Sequence, residues 1–187
     1  LNDGISHIEG VGSAQLKKLI KLGNYSATSN GSDIADADIV IIAVPTPLTR
    51  ERKPDLTYIE SACKTIAENV KNPVLVINES TSFPGTLRNV IMPLVFSLTK
   101  SKNFHFAVAP ERINPGDTKW KIDNTPRVVS GISDEDSKIA CEFYRTFSKS
   151  VIHVSQPEIA EASKLLENSF RLINISFIIK INYHCYV

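Results

Sequence analysis

The chain alternates between short apolar runs and longer segments in which apolar residues recur every three or four positions. Residues 39–44 form a continuous apolar run ended by prolines, which is typical of a strand buried on both faces of a parallel sheet. Similar runs predict four more strands, at residues 74–77, 104–109, 128–129 and 151–154.

Helical stripes lie between these strands. Residues 57–70 and 87–98 each place their apolar side chains on one face of a helix. Ser133 and three carboxylates at 134–136 predict a third helix, because serine caps a helix and acidic residues favour the positive end of its dipole. Pro157 fits the first turn of a long last helix, which we expect to run to about residue 179.

Strands that alternate with helices predict an α/β fold, with right-handed crossovers and a mostly parallel sheet flanked by helices. Ligands of such sheets bind at the carboxyl ends of the strands. The functional residues are therefore expected directly after residues 44, 77 and 109, which is where the unusual sequences occur.

Composition excludes several classes of protein. The 187 residues, 42% hydrophobic and 22% charged, have room for one domain and part of a second, and are too apolar for a disordered chain. A net charge of +1 leaves no basic excess for binding nucleic acid. Three widely spaced cysteines indicate a reducing compartment, which we expect to be the cytoplasm.

The ends of the chain suggest a fragment. No apolar run is long enough to predict a transmembrane helix, and the first residues lack the layout of a signal peptide, so we expect no membrane association. The chain begins with Leu1 rather than Met, and its last residues contain no helix stop signal. We therefore expect truncation at both ends, with a short natural protein as the alternative.

Polar segments follow the predicted strands. Residues 44–47 form a stiff turn that could lie against a nucleotide or be a rigid loop without a ligand. Residues 80–82 place three hydroxyls before a helix, whose N-terminus could attract a phosphate or be capped by one hydroxyl. Glu111 could orient water, and Arg112 could pair with a phosphate or an acid; a solvated acid–base pair is the alternative.

The last helix places four polar residues on one face of an otherwise apolar segment. These are Glu161, Lys164, Asn168 and Arg171. Such a stripe is either a strip facing solvent or the lining of a site.

Other familiar motifs do not occur. The sequence has no G-x-G-x-x-G, and the short Gly10-Val11-Gly12 follows no predicted strand. The histidines have no metal-ligand spacing, so no metal site is expected. Cys63 lies in a helical apolar stripe and is expected to pack in the core.

Five motifs in order carry a family resemblance. They are residues 41–48 (IIAVPTPL), 54–56 (PDL), 79–81 (EST) with 84–86 (PGT), 109–112 (APER) with 115–116 (PG), and 160–168 (AE, then KL, then Asn168). Together they resemble the nucleotide-sugar dehydrogenases, the UDP-glucose/GDP-mannose dehydrogenase family, over residues 5–178. The forms around residues 44–48 and 79–81 are most similar to members acting on UDP-N-acetylglucosamine or UDP-N-acetylmannosamine.

The resemblance implies oxidation of the sugar C6 alcohol to a carboxylate with two NAD⁺, for polysaccharide biosynthesis. It implies an NAD-binding, Rossmann-like domain over residues 1–155 that lacks its first strands. Residues 156–187 would begin a central helical dimerisation domain, with a homodimer formed through the 157–179 helix.

The resemblance also implies roles for single residues. The residues matching those against NAD are Val44, Pro45, Thr46, Pro47, Ser80 and Thr81, and Thr81 also matches the hydroxyl that positions catalytic water. The residues matching a loop that lines the UDP-sugar site are Glu111, Arg112, Ile113, Asn114 and Pro115. Glu111 matches a carboxylate that assists thioester hydrolysis, and Lys164 with Asn168 matches the pair that stabilises the oxyanion at C6.

Several parts of the family pattern have no match. They are the opening strand, the Gly-rich phosphate turn, the acidic ribose ligand and the C-terminal motif of the nucleophilic cysteine, a role that Cys185 is not assigned. The chain alone is therefore expected to be inactive.

Two alternative functions stay open. The chain could be a non-catalytic remnant that serves as a binding or dimerisation module. A different NAD-linked dehydrogenase, of the 3-hydroxyacid or 6-phosphogluconate type, is disfavoured because residues 79–81 and 109–112 fit it poorly.

Overall fold

A five-stranded sheet forms the centre of the molecule in the computed structural model, which describes residues 1–8, 10–71, 73–100, 103–113 and 119–185. Its strands follow one another in chain order. They are β1 Ile39–Ile42, β2 Val74–Asn78, β3 Phe104–Val108, β4 Arg127–Gly131 and β5 Val151–His153. The β1–β2, β2–β3 and β4–β5 pairs are parallel, and β3–β4 is antiparallel. The predicted mostly parallel α/β sheet is confirmed.

Helices cover both faces of this sheet. The α-helices of the described residues are α1 Ser13–Lys21, α2 Thr57–Asn69, α3 Met92–Leu98, α4 Asp134–Arg145 and α5 Pro157–Cys185, of which α2 to α5 contact the sheet. A 3₁₀ turn covers Gly31–Ile34, and a π-helical turn, Leu87–Ile91, leads into α3. Pro93 lies at the start of α3 and has no N–H to donate, which is consistent with irregular helical hydrogen bonding just before it. The sequence analysis did not predict α1 or the 3₁₀ turn.

The sheet divides the core into two clusters. On one face, α2, α3 and the first turns of α5 pack on alternate residues of β2 and β3, with Ile59, Val76 and Phe106 almost wholly buried. On the other face α4 packs through Tyr144 and Ala140 on the intervening residues of the same strands. Because helices pack on both faces of β2 and β3, these strands hold the residues that follow them in defined positions.

The predicted burial of residues 39–44 is wrong in part. The strand ends at Ile42, and Ile41 is 40% exposed. The reason is that β1 is the edge strand of the described sheet and α4 lies over the neighbouring strands instead. One face of β1 packs on α2, but no described helix covers the face that carries Ile41.

The last helix is longer than predicted, because it reaches Cys185 rather than about residue 179. Its first turns are buried, with Ala160 and Glu161 at 0% and 1% exposure. From Leu166 onward its large apolar side chains are exposed. Within the described part of the chain, no helix is both long and apolar enough to cross a membrane.

Candidate functional site at the strand ends

Ser80 joins the ends of β1 and β2. Its buried hydroxyl accepts a hydrogen bond from the Val44 N–H at 2.8 Å and donates to the Ile42 carbonyl at 3.3 Å. Ser80 therefore fixes the start of the 44–47 turn rather than presenting a free hydroxyl to a ligand.

The 44–47 turn lies at the surface beside this junction. Pro45 and Pro47 are exposed, while Val44 and Thr46 are half-buried. The Pro47 carbonyl accepts the Asp55 N–H at 2.9 Å, which closes the loop that follows. The turn thus offers a rigid, mainly apolar edge with one hydroxyl, as the sequence predicts.

The other two hydroxyls after β2 have different surroundings. Ser82 is buried and accepts a hydrogen bond from the Asn78 side-chain amide at 3.1 Å. Thr81 is half-buried and makes no hydrogen bond with the residues that the structure describes. Of the three hydroxyls, Thr81 is therefore the one placed to contact a ligand.

The helix start after these hydroxyls is already occupied. The buried Glu161 carboxylate accepts the Gly85 N–H at 2.5 Å and the Leu87 N–H at 2.8 Å. Gly85 has φ of +94°, which residues with a side chain rarely adopt. The interpretation of these N–H groups as phosphate ligands is therefore wrong, because a side chain of α5 takes the place of an anion.

Burial raises the pKa of Glu161, although the N–H groups of Leu87 and Gly85 oppose this by stabilising the carboxylate. The sequence analysis placed Glu161 in one polar stripe with Lys164. The structure separates their environments, since Glu161 caps a helix within the protein and Lys164 is half-buried at the surface.

Glu111 follows β3 and is held by three donors. Its Oε1 accepts the N–H groups of Arg112 at 2.6 Å and Ile113 at 2.7 Å. Its Oε2 accepts from the Arg127 guanidinium at 2.8 Å, and the side chain remains 39% exposed. The predicted carboxylate at this strand end is thus ordered and still open to solvent.

Arg127 is a site residue that the sequence analysis missed. Its side chain is 2% exposed and also contacts Glu79 Oε1, at 3.4 Å. Tyr144 donates to the same Glu79 oxygen at 2.5 Å, and the guanidinium lies 5.3 Å from the centre of the Tyr144 ring. A signal was present in the sequence, namely an arginine directly before a short apolar run.

Arg112 pairs with an acid rather than standing free for a phosphate. Its guanidinium makes hydrogen bonds of 3.0 and 3.2 Å to the two carboxylate oxygens of Glu167 on α5. A third donor contacts the Pro126 carbonyl at 3.3 Å. This two-point contact fixes the loop after β3 to the helix that carries Lys164.

Lys164 and Asn168 lie on α5 beside this loop. Lys164 is half-buried and its ammonium group makes no hydrogen bond with the described residues, whereas Asn168 is exposed. Burial lowers the pKa of Lys164, while the negative charges of Glu167 and Glu111 oppose the change. The structure therefore brings Lys164 within electrostatic reach of Glu111.

We expect the substitution Glu167→Gln to lower the pKa of Lys164 further, because it removes the carboxylate that most favours the ammonium form. Titration of ¹³C-methylated lysines by NMR would show deprotonation at lower pH. Glu68→Gln, which removes the partner of exposed Lys64, is the control and should leave the Lys164 curve unchanged. A shift to higher pH would contradict the assigned electrostatics.

The other residues of the predicted substrate loop are only partly described. Asn114 and Pro115 lie outside the described residues, and Ile113 is half-buried next to Glu111.

Cys63 is fully buried, as predicted, and burial raises the pKa of its thiol to about 12. A groove of about 830 Å³ between α2 and α3 is lined by none of the predicted site residues.

The strand ends fit part of a dinucleotide. Val44 and Pro45 supply an apolar edge, and Thr46 and Thr81 supply hydroxyls with no hydrogen-bond partner among the described residues. Within the same described residues, no strand leads through a glycine-rich turn into a helix N-terminus. The chemistry therefore suits a nucleotide base and its ribose better than a pyrophosphate.

A mostly parallel sheet with helices on both faces and polar residues at its carboxyl ends is the architecture of a doubly wound nucleotide-binding domain. The sequence profile of the UDP-glucose/GDP-mannose dehydrogenase family, NAD binding domain, matches residues 1–148. The chain belongs to this family, and NAD is its cofactor.

Named relatives agree with this assignment. UDP-N-acetyl-D-mannosamine dehydrogenase of Pyrococcus horikoshii is 35% identical over 94% of this chain and 43% of its own length. UDP-N-acetyl-D-glucosamine 6-dehydrogenase of Pseudomonas aeruginosa is 34% identical over 95% of this chain and 42% of its own. The chain thus spans about two fifths of the length of these relatives.

Solved structures show the same fold. The structure of the P. horikoshii enzyme superposes with a TM-score of 0.84 over 94% of this chain and 43% of that one. A ternary complex of GDP-mannose dehydrogenase from P. aeruginosa gives a TM-score of 0.85 at 26% identity, over 94% of this chain and 42% of that one.

Proposed function

We propose that this chain is part of a dehydrogenase that oxidises the C6 alcohol of a UDP-N-acetylhexosamine to the uronate with two NAD⁺, for polysaccharide biosynthesis. The observation that carries the proposal is the placement of Glu111 and Lys164. Glu111 follows β3 and Lys164 lies on α5, and the negative charge of Glu111 favours the ammonium form of Lys164. The Arg112–Glu167 ion pair joins the two segments that carry them. The named relatives act on this substrate class.

The proposed roles follow from the chemistry of each side chain. Lys164 and Asn168 supply a cation and an amide donor where the C6 oxygen becomes negative as its proton leaves. Thr81 would position water, and Glu111 would accept its proton as the water attacks a thioester formed after the second hydride transfer; the C–S bond breaks, and the uronate and the thiol are released. The cysteine of that thioester would belong to the C-terminal motif of the family, which has no match in this chain. The 44–47 turn and the residues after β2 hold the nicotinamide end of the cofactor, and NAD⁺, when bound, accepts hydride.

The loop after β3 is proposed to line the substrate. Glu111 and Ile113 belong to this proposed lining. Arg112 is tied to Glu167, so its proposed contribution is to hold the loop against α5. The cytoplasm is the proposed location, because NAD⁺ and UDP-sugars are charged molecules that do not cross a bilayer unaided.

A hybrid enzyme tests the function. In it, this chain replaces the matching segment of the P. horikoshii dehydrogenase, which supplies the parts outside the match. We expect NADH formation with UDP-N-acetylmannosamine or UDP-N-acetylglucosamine, and much slower formation with UDP-glucose. The parent enzyme is the positive control for assembly.

A folded hybrid that binds NAD⁺ but reduces none of it with any of these sugars would contradict the proposal. That result would favour the alternative, in which the chain serves only as a binding or dimerisation module.

We also propose a homodimer through α5, which would lie in a dimerisation domain that begins at residue 156. Beyond its first turns this helix exposes a long apolar surface, and a patch of this size is typical of an interface. The exposed side chains include Leu166, Phe170, Leu172, Ile173, Phe177 and Ile178, each at least 63% exposed.

We expect the 187-residue chain to sediment as a dimer at concentrations of roughly tens of micromolar, because pairing buries this apolar surface. Replacing both Phe170 and Phe177 by Glu should give a monomer, whereas Lys180→Glu, a charge change without loss of apolar area, is the control. A wild-type monomer with an intact helix would contradict this interface.

A further inference from the structure

The antiparallel β3–β4 pair brings Arg127 to the edge of the sheet where the functional residues lie. Val108 of β3 faces Ser130 of β4. Continuing this register places Arg127, at the start of β4, alongside Glu111, which follows β3. The two side chains form an ion pair at 2.8 Å. Arg127, from the beginning of β4, thus lies at the same sheet edge as the residues that follow β2 and β3.

The Arg127 guanidinium is itself held in place. Glu79 lies 3.4 Å from one of its nitrogens, and the Tyr144 ring lies beside it at 5.3 Å. Tyr144 in turn donates to Glu79 at 2.5 Å, and burial with the nearby Glu79 charge raises the pKa of Tyr144. Tyr144 therefore stays protonated and keeps Glu79 oriented toward the arginine.

Glu111 retains capacity for one more hydrogen bond. A carboxylate has about four lone-pair positions, and two backbone N–H groups and Arg127 occupy three of them. With 39% of the side chain exposed, the remaining position is accessible to water or a substrate hydroxyl.

We propose that Arg127 is the positioning residue for Glu111, holding one carboxylate oxygen so that the other stays on the N–H groups of Arg112 and Ile113. Glu79 and Tyr144 act behind it by fixing the guanidinium. The activation of water by Glu111 rests on the proposed function. The positioning of Glu111 by Arg127 does not depend on it.

The amide signals of Arg112 and Ile113 report the position of Glu111 without any turnover. In ¹H–¹⁵N spectra of the full chain, both should lie downfield because each donates to a carboxylate. We expect Arg127→Met to move both upfield and to speed their hydrogen exchange by roughly tenfold or more. Arg127→Lys, which restores a cation, should recover part of the shift.

A matched control is Arg88→Met, which removes an arginine paired with Glu158 on α5. It should leave both amides unchanged. If Arg127→Met does not fold, Tyr144→Phe is used instead; it keeps every charge and should move the same two amides in the same direction.

Unchanged Arg112 and Ile113 amides in a folded variant would overturn the proposal. An equal acceleration of exchange in every strand would also overturn it, since that result assigns Arg127 to general stability. If the two amides respond as expected while the hybrid enzyme produces no NADH, the proposed function fails and the positioning role stands.

Discussion

Replacing Lys164 by Ala in the hybrid enzyme should lower kcat by about 10²–10³, or roughly 3–4 kcal/mol in activation free energy, with little change in KM for the UDP-sugar. The reason is that Lys164 is proposed to meet negative charge that exists mainly in the transition state. Its surroundings favour this role, because the residue is half-buried and its ammonium group makes no hydrogen bond with the described residues. Steady-state kinetics with NADH detection would measure both constants.

Lys64→Ala is the matched control, because the Lys64 side chain is 65% exposed on α2. It should change stability by less than about 0.5 kcal/mol and turnover not at all. Wild-type turnover in the Lys164→Ala hybrid would show that Lys164 is an ordinary surface charge.

Replacing Glu161 by Ala should destabilise the chain by about 2–4 kcal/mol. The substitution leaves the N–H groups of Gly85 and Leu87 buried without an acceptor, and each such group costs about 1–3 kcal/mol. Part of this loss is offset, because the carboxylate no longer has to be buried. Thermal unfolding should show a fall in Tm of roughly 4–16 °C.

Glu158→Ala separates this effect from a general effect of charge on α5. Glu158 lies one turn earlier and pairs with Arg88, both partly exposed, so its removal should cost about 1 kcal/mol or less. Equal losses in the two variants would contradict the assignment of Glu161 as an internal helix cap.

The ionisation of Glu161 makes the free energy of unfolding depend on pH. Its pKa in the folded chain is raised above the ordinary value of 4.5, so the folded state binds the proton more tightly. This contribution is fully present below the unfolded pKa and is lost as pH rises through the folded pKa. The destabilisation caused by Glu161→Ala should therefore be larger at acidic pH than at neutral pH.

Regular periodicity made most of the fold predictable. Buried strands such as β2 and β3 consist of apolar runs because both faces are covered, and α4 begins at the Ser133 cap that the sequence displays. The exposure of Ile41 was not predictable from its run, because burial of an edge strand depends on elements that lie elsewhere in the chain. The local sequence pattern thus predicts whether a segment is a helix or a strand more reliably than it predicts how deeply the segment is buried.

The candidate site was only partly predictable, because its charges pair across distant segments. Arg127 was missed since a mostly parallel sheet places the beginning of a strand far from the functional edge, and the β3–β4 pair reverses this. Glu161 was grouped with Lys164 by helical spacing, yet its partners are backbone N–H groups more than seventy positions away in sequence. The arginine before the apolar run of β4 marks Arg127 as unusual, but the local sequence does not identify the partners of either residue.

The stoichiometry of the hybrid enzyme tests the central proposal most directly. With a UDP-N-acetylhexosamine as the limiting substrate, NADH is measured by absorbance and the sugar product by mass spectrometry. A four-electron oxidation at the strand-end site predicts two NADH for each sugar and a UDP-N-acetylhexosaminuronate as product. One NADH for each sugar with a free aldehyde, or a folded, NAD-binding hybrid that leaves the sugar unchanged, would contradict it.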